Sequence, residues 1–378
     1  MKILHLSDLH IGKRVNEFSM LDDQSFILSE ILKIADEQKI NAVIIAGDVY
    51  DKSVPSAEAV ELFDDFLTKL ARRELSVFVV SGNHDSAERI AFASKIMSKS
   101  RIYMAPVYDG KIEPIVVGDE YGEVNFYLLP FVKPSAVRQF FENDDIKDYN
   151  DALRIAVEDM HIDTNKRNVI VSHQFVTGAV MGGSEEVSVG GLDNVDASIY
   201  ESFDYAALGH IHGAQHIMCE HIRYCGTPLK YSFSEVTHNK SVTIVELRQK
   251  GNVQINAIPL KPVRDMQEIK GTYMELVSRD FYEKLNRDNY FHIILTDEED
   301  VINAAAKLRV IYPNMMKISY DNARTRAGMT PVRNSPEEQM NPLEMLDKLY
   351  EIQNGVKMNE QQKKTASKLF DLLKEEYE

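Results

Sequence analysis

Cysteine, long apolar runs and positive charge are what this 378-residue sequence is short of. Its two cysteines, Cys219 and Cys225, stand at no metal-type spacing, which excludes a thiolate cluster of the usual kind. They flank an expected hairpin and so can face each other, but a cytosolic setting favours two reduced structural thiols. No apolar run reaches the length of about 18 residues that a transmembrane helix needs. The first residues enter a strand-like pattern with no basic region, apolar stretch or cleavage site ahead of it, so no leader is expected and the chain is placed in the cytoplasm. Lys and Arg number 43 against 59 Asp and Glu, a net charge of −16. A chain so acidic does not grip a polyanion over a large footprint unaided. Bound divalent cations, or a basic partner, have to supply the missing charge.

What is present is ordinary for a folded protein: 44% apolar and 27% charged residues. The length predicts one large domain with smaller additions. Apolar residues at helical spacing, Phe26, Ile27, Ile31, Ile34 and Ala35, predict a helix over Leu21–Gln38. Ala42–Ala46 is a continuous apolar run between Asn41 and Gly47-Asp48, which reads as a buried strand. Pro55-Ser56 opens a second helix with Val60, Phe63, Leu67 and Leu70 on one face, and residues 77–80 form the next strand. This alternation implies right-handed crossovers and an α/β layered core, whose ligands gather beyond the carboxyl ends of the strands.

Further on, residues 112–130 read as a hairpin turning at 118–122, and 134–161 as largely helical around an acidic loop at 142–145. Strands are expected at 169–172 and 205–208, separated by a loop that carries Gly182-Gly183 and Gly190-Gly191. Residues 214–259 alternate in the manner of several antiparallel strands. Residues 266–320 then read strand, helix, strand, helix, strand, with 290–295 and 315–320 the clearest strands. A basic-biased linker follows over 322–340. Asn341 caps one terminal helix and Asn359 a second, and the two short stripes, poorly able to bury each other, pack on the body or grip a partner helix.

The chemistry sits at the strand ends. Asp8 and His10 stand two apart, and on an extended chain such a pair points to one side and reaches one ion. Asp48 follows Gly47, Asn83 and His84 follow Gly82, His173 ends a strand, and His210 and His212 follow Gly209. Glycine before three of the five clusters lets the backbone turn and approach closely. Carboxylate, imidazole and amide oxygen without thiolate suit Mn²⁺, Fe²⁺ or Zn²⁺. Asp48 has two oxygens with which to bridge two ions, an arrangement that stabilises both nucleophile and leaving oxygen in phosphoryl displacement. Any one of these groups alone is more often a satisfied polar residue, but the joint, ordered pattern argues for a site.

These motifs (SDLH, GD, GNHD, SH and GHIH, in that order) resemble those of the calcineurin-like metallophosphoesterase superfamily, over residues 1–260. The AGDVYD, GHIHGAQ and YCGTP stretches resemble the bacterial branch of its double-strand-break repair nucleases. The resemblance implies a four-layer α/β/β/α sandwich over residues 1–262, a small α+β capping domain over 263–321, the linker over 322–340 and partner-binding helices over 341–378. It implies two divalent ions, manganese in the first instance: Asp8, His10 and His212 on one, Asn83, His173 and His210 on the other, and Asp48 between. His84 is then the general acid, and Asp85 either orients His84 or caps the next helix. Some relatives carry a second histidine where Asp51 stands here.

The implied activity is a 3′→5′ double-strand exonuclease and a single-strand and hairpin endonuclease. The implied partners are DNA ends and hairpins, an ABC-type ATPase with a long coiled coil, and a second copy of this chain in a heterotetramer. Lys13, Arg14, Lys52 and Arg89 flank the motifs as possible phosphate contacts, and more often such residues are plain surface charge. A small-molecule phosphodiesterase or phosphatase on the same fold is the alternative, since fold and metals are shared across many substrates. His5, His161, His216, His221, His238 and His292 match no motif and are read as structural or exposed.

Overall fold

Two six-stranded sheets lie face to face, each with a helical layer on its outer side. The computed structural model describes residues 1–141, 146–183, 185, 193–328, 342–354 and 357–377. The expected acidic loop at 142–145, Gly190-Gly191, most of the linker, Asn341 and Gly355 between the two terminal helices lie outside these described residues. The first sheet runs Val253–Pro259, Ser241–Leu247, Lys2–Leu6, Ala42–Ala46, Ser76–Val80, Ile102–Met104. Its last four strands are parallel. The second runs Gln215–Ile217, Cys219–Tyr224, Tyr205–Gly209, Arg167–His173, Gly122–Leu129, Ile115–Asp119, with four parallel strands in the middle.

Three apolar layers hold these parts together. Helices Leu21–Gln38 and Ala57–Ala71 cover the outer face of the first sheet, and Tyr149–Glu158 covers the outer face of the second. The inner layer stacks Phe78 on Phe126 at 3.9 Å between ring centroids. Strands buried on both faces explain the unbroken apolar runs at 42–46 and 77–80. The first helix keeps its expected bounds and buries Ile27, Leu28, Ile31, Leu32 and Ala35. Ser56 caps the second helix, whose buried face is Ala59, Phe63, Phe66, Leu67 and Leu70, while Val60 is exposed. Among the described residues, no helix is long and apolar enough to cross a membrane.

Several expectations need correction. The strands between 214 and 259 pair antiparallel as expected, but in two different sheets: Gln215–Ile217 and Cys219–Tyr224 extend the second sheet, and the later pair extends the first. Cys219 and Cys225 therefore do not face each other across a hairpin. They stand at opposite ends of one strand, and both are free thiols. Among the described residues of 134–161 there are two helices, Pro134–Val137 and Tyr149–Glu158, and the start of the expected linker forms a further one, Ala323–Gly328.

Residues 266–320 build a three-stranded parallel sheet, Met266–Gly271, Tyr290–Leu295 and Met315–Tyr320, with its own apolar core. Asp23 on the first helix accepts hydrogen bonds from Arg264 (3.0 Å) and the Tyr290 hydroxyl (2.7 Å), which ties this sheet to the sandwich. Met1–Asp321 form one compact unit and Asn322–Glu378 another. Within the second unit, helix Pro342–Asn354 meets Glu360–Tyr377 through a Lys363–Asp347 ion pair at 2.8 Å. Asn359 caps the latter helix, accepting from the Gln362 N–H. Met345, Leu349 and Leu369 stay exposed.

Candidate metal centre

The first strand stops at Leu6, and the backbone then enters the left-handed region at Asp8 (φ 51°) and His10 (φ 43°). The pair is therefore not extended, as its spacing suggested, and the pleat of a strand does not bring the two side chains together. Hydrogen bonds do. Asp8 N–H donates to Gly47 O (3.0 Å), His10 N–H to Asp48 O (2.9 Å) and Ile11 N–H to Val49 O (2.9 Å), so the loops after the first two parallel strands run side by side. Asp48 is also left-handed, at φ 48°. Each such residue costs about 1–2 kcal/mol. Net hydrogen bonds of about 1 kcal/mol each offset much of this.

Two glycines allow the remaining loops to close in. A Cβ on Gly82 would lie 2.0 Å from Asp48 Oδ1, and one on Gly209 would lie 1.8 Å from Ala46 O. No side chain fits at either place, so the glycines that precede Asn83 and His210 are demanded by close approach.

The side chains converge on Asp48. Its Oδ1 accepts the His84 N–H at 3.0 Å. Its Oδ2 lies 3.4 Å from His173 Nε2, 3.7 Å from His10 Nε2 and 3.9 Å from His84 Nε2. On one side, His10 Nε2 meets His212 Nε2 at 3.2 Å, and Asp8, His10 and His212 offer ligand atoms within 4.8 Å of one another. On the other, His173 Nε2 and His210 Nδ1 each stand 3.0 Å from Asn83 Oδ1. Asp8, His10, Asp48, His173, His210 and His212 are buried; Asn83 and His84 are half-buried at the mouth.

Electrostatics show how ill-suited this cluster is to standing without a cation. Burial raises the Asp8 carboxyl to about 6 even against the pull of His173 and His212. Burial also disfavours a charged Asp48, but the imidazoles of His173, His10 and His84 outweigh it and hold that carboxyl far below the usual range. The reciprocal effect of Asp48 overcomes burial at His173 and lifts it to about 9, whereas burial and His173 push His210 down to about 4. His173 donates Nδ1–H to Ala46 O at 2.8 Å, so in the neutral ring the Nε2 lone pair faces Asn83 Oδ1 and Asp48 Oδ2. His10 Nδ1 has no hydrogen-bond partner among the described residues. Lone pairs converging on shared points are what divalent cations accept, and the nitrogen and oxygen donor set fits two of them.

His84 and Asp85 behave differently from the rest. The His84 ring packs edge-on against His10, with Nδ1 at 3.1 Å from Asp51 O and Nε2 toward the centre. Asp85 accepts from Val49 N–H, Tyr50 N–H and Gly82 N–H at 2.9–3.1 Å, and it is Ser86 that caps the following helix. Of the two roles expected for Asp85, capping is thus taken by its neighbour. Its hydrogen bonds tie the Asp48 loop to the Gly82 turn. Lys13 pairs with Asp51 at 2.7 Å, while Lys52 and Arg89 are exposed.

Several supporting residues escaped the sequence reading. Gln24 donates to His10 O (2.8 Å) and Tyr231 OH (3.0 Å) and accepts from Gly12 N–H (2.9 Å), and Tyr231 donates to Leu9 O (2.5 Å). Cys225 Sγ donates to Ser7 Oγ (3.1 Å), which donates to Asp8 Oδ2 (2.5 Å). Glu235 and Lys240 lie behind His212. One signal was available: Asp23 and Gln24 interrupt the apolar face of the first helix. Of the unmatched histidines, His5 is buried against the Tyr205 hydroxyl, and His292 is held between Glu268 and Ser319.

Residues 1–214 match the family model described as calcineurin-like phosphoesterase, and residues 262–354 match an SbcD-type model described as the type 5 capsule protein repressor C-terminal domain. A protein of Staphylococcus epidermidis, named as the D component of the nuclease SbcCD, is 33% identical over 323 residues, spanning 84% of this chain and 85% of that one. A protein of the same name from Staphylococcus saprophyticus is 30% identical over 380 residues, spanning 100% and 99%. A dimetal phosphatase from Danio rerio superposes with a TM-score of 0.37 at 11% identity, over 69% of this chain and 99% of that one, a likeness too loose to carry any argument.

Proposed function

The chain belongs to the calcineurin-like phosphoesterase family, and from that premise we propose that it acts on DNA ends and hairpins as the nuclease component of a two-protein complex. It is a metal-dependent phosphodiesterase of the nuclease type. Its activities are 3′→5′ exonuclease on duplex and endonuclease on single strands and hairpins. Its partner is an SbcC-like ABC-type ATPase with a coiled coil, bound through the two terminal helices, and the complex is a heterotetramer holding two copies of this chain in the cytoplasm. A role in DNA repair and recombination follows. The net charge of −16 suits this division of labour, because the partner then holds the duplex.

Asp8, His10 and His212 would hold one ion, Asn83, His173 and His210 the other, with Asp48 between them; manganese suits this donor set. Bound there, the two cations supply water activation and charge stabilisation for in-line phosphoryl displacement. The protein supplies the rest. Asp48 keeps both half-sites at one point. The Ala46 carbonyl fixes the His173 tautomer. Asp51 O accepts from His84 Nδ1, which aims Nε2 at the centre, and His84 carries there the proton that the departing sugar oxygen takes.

The observation that carries this reading is the convergence of six residues from four other strand ends around Asp48. Purified chain with Mn²⁺ is expected to cut blunt and hairpin DNA, faster with the ATPase, and to stop with EDTA. Hydrolysis of a chromogenic diester without any DNA cutting, with or without the ATPase, would favour the small-molecule alternative. Deleting 342–378 is expected to abolish capture of the ATPase and spare diester hydrolysis; an unchanged pull-down would remove the terminal helices from the interface.

A further inference from the structure

Behind His212 lies an ion pair that the reaction itself does not call for. Glu235 is fully buried, and Lys240 is 8% exposed. Lys240 Nζ stands 2.5 Å from Glu235 Oε2, and it also donates to His212 O (2.9 Å) and Thr227 Oγ1 (2.6 Å). The other Glu235 oxygen, Oε1, lies 3.6 Å from His212 Nδ1. Burying two charges costs several kcal/mol per ion before their attraction is counted, and an apolar pair of similar size is often as stable. A fold needing only a filled core at this place has cheaper solutions.

His212 gives the pair a purpose. Its Nε2 faces His10 Nε2 at 3.2 Å, on the side where the first ion belongs. A ring that ligates through Nε2 keeps its proton on Nδ1, and a carboxylate opposite that proton fixes the tautomer, holds the ring plane and makes Nε2 more basic. Glu235 is that carboxylate. Lys240 is its buried counter-charge and grips the His212 carbonyl, so backbone and ring of one ligand are held by the same two side chains.

We infer that Glu235, balanced by Lys240, is the positioning residue for His212 and thereby sets the affinity of the half-site formed by Asp8, His10 and His212. The inference rests on the two-ion reading above. It concerns one half-site only, since His173 on the other side takes its tautomer from the Ala46 carbonyl.

The test is Mn²⁺ binding to the full-length chain by isothermal titration, with the Mn²⁺ dependence of turnover measured alongside. The double substitution Glu235→Gln, Lys240→Met removes both charges together and so leaves no unpaired ion in the core. Wild type is expected to bind two Mn²⁺ per chain. The double variant is expected to bind one as before and the second about 10- to 100-fold more weakly. The Mn²⁺ concentration for half-maximal rate should rise in parallel. Glu235→Asp keeps the counter-charge of Lys240 but withdraws the carboxylate from His212, and it carries the same expectation if the double variant does not fold. Two Mn²⁺ bound as tightly by a folded variant as by wild type would overturn the inference and leave the two-ion reading standing. A wild-type chain that binds no second Mn²⁺ would overturn both.

Discussion

The two halves of the centre are built by different means. His173 and His210 stand where the main chain puts them: one ring is fixed by the Ala46 carbonyl, and the other follows a glycine that fits only because it has no Cβ. Asp8 and His10 are placed by main-chain bonds too, to Gly47 and Asp48, but these two and His212 have in addition a backing of buried side chains: Ser7 and Cys225 behind Asp8, Gln24 and Tyr231 under His10, Glu235 and Lys240 behind His212. A backbone-held ligand is fixed once the strands pair. A ligand backed by side chains depends also on partners such as Cys225 for Ser7 or Tyr231 for Leu9, more than 200 positions away, and one substitution can disturb it without disturbing the fold.

Asp48 is the one group both halves share, so its loss should erase the distinction. Asp48→Asn is expected to lower Mn²⁺ binding at both half-sites and reduce DNA cleavage to background, measured by metal content and gel assay together. Retention of one tightly held ion would show that Asp48 serves only one half. His84→Ala should instead leave both halves loaded. Turnover is expected to fall about 10²- to 10⁴-fold, the range for losing a general acid, with Mn²⁺ content unchanged. His84 lies near His10 and Asp48, so a fall in metal content matching the loss of turnover would make it a ligand of the first half.

The smallest effect is a slope with pH in the metal-free chain. The folded state raises His173 from its ordinary 6.5 to about 9, because Asp48 beside it outweighs burial. A group whose pKa is raised on folding stabilises the fold below its unfolded value and loses that contribution as pH rises through the folded value. In EDTA the melting temperature is therefore expected to fall between about pH 6.5 and 9. In His173→Gln this decline should disappear. A His173→Gln chain with the wild-type slope would show that another group is responsible.

Legibility in the sequence follows the same division. An α/β layered core was readable because strands buried on both faces leave continuous apolar runs, and Leu21–Gln38 because its apolar spacing fits a helix; that two sheets pack face to face came only from the resemblance of the motifs. Each glycine before a ligand leaves its mark in the chain because close approach tolerates no other residue. Glu235 leaves none: it falls within 214–259, which reads only as alternating strands, and only the folded chain puts that carboxylate behind His212. Asp8 and His10 are the instructive case. They do meet, but through left-handed turns tied to the Gly47–Val49 backbone, which no period-2 argument contains. Cys219 and Cys225 mislead for the converse reason, since spacing cannot tell a hairpin from one strand with a thiol at each end.

Two ions held by two differently built half-sites that share Asp48 are a claim about metal positions. Anomalous diffraction at the manganese edge from Mn²⁺-soaked crystals tests it most directly. Two peaks are expected, one among Asp8, His10, Asp48 and His212 and one among Asp48, Asn83, His173 and His210. A single peak, or two peaks with no shared Asp48, would contradict it.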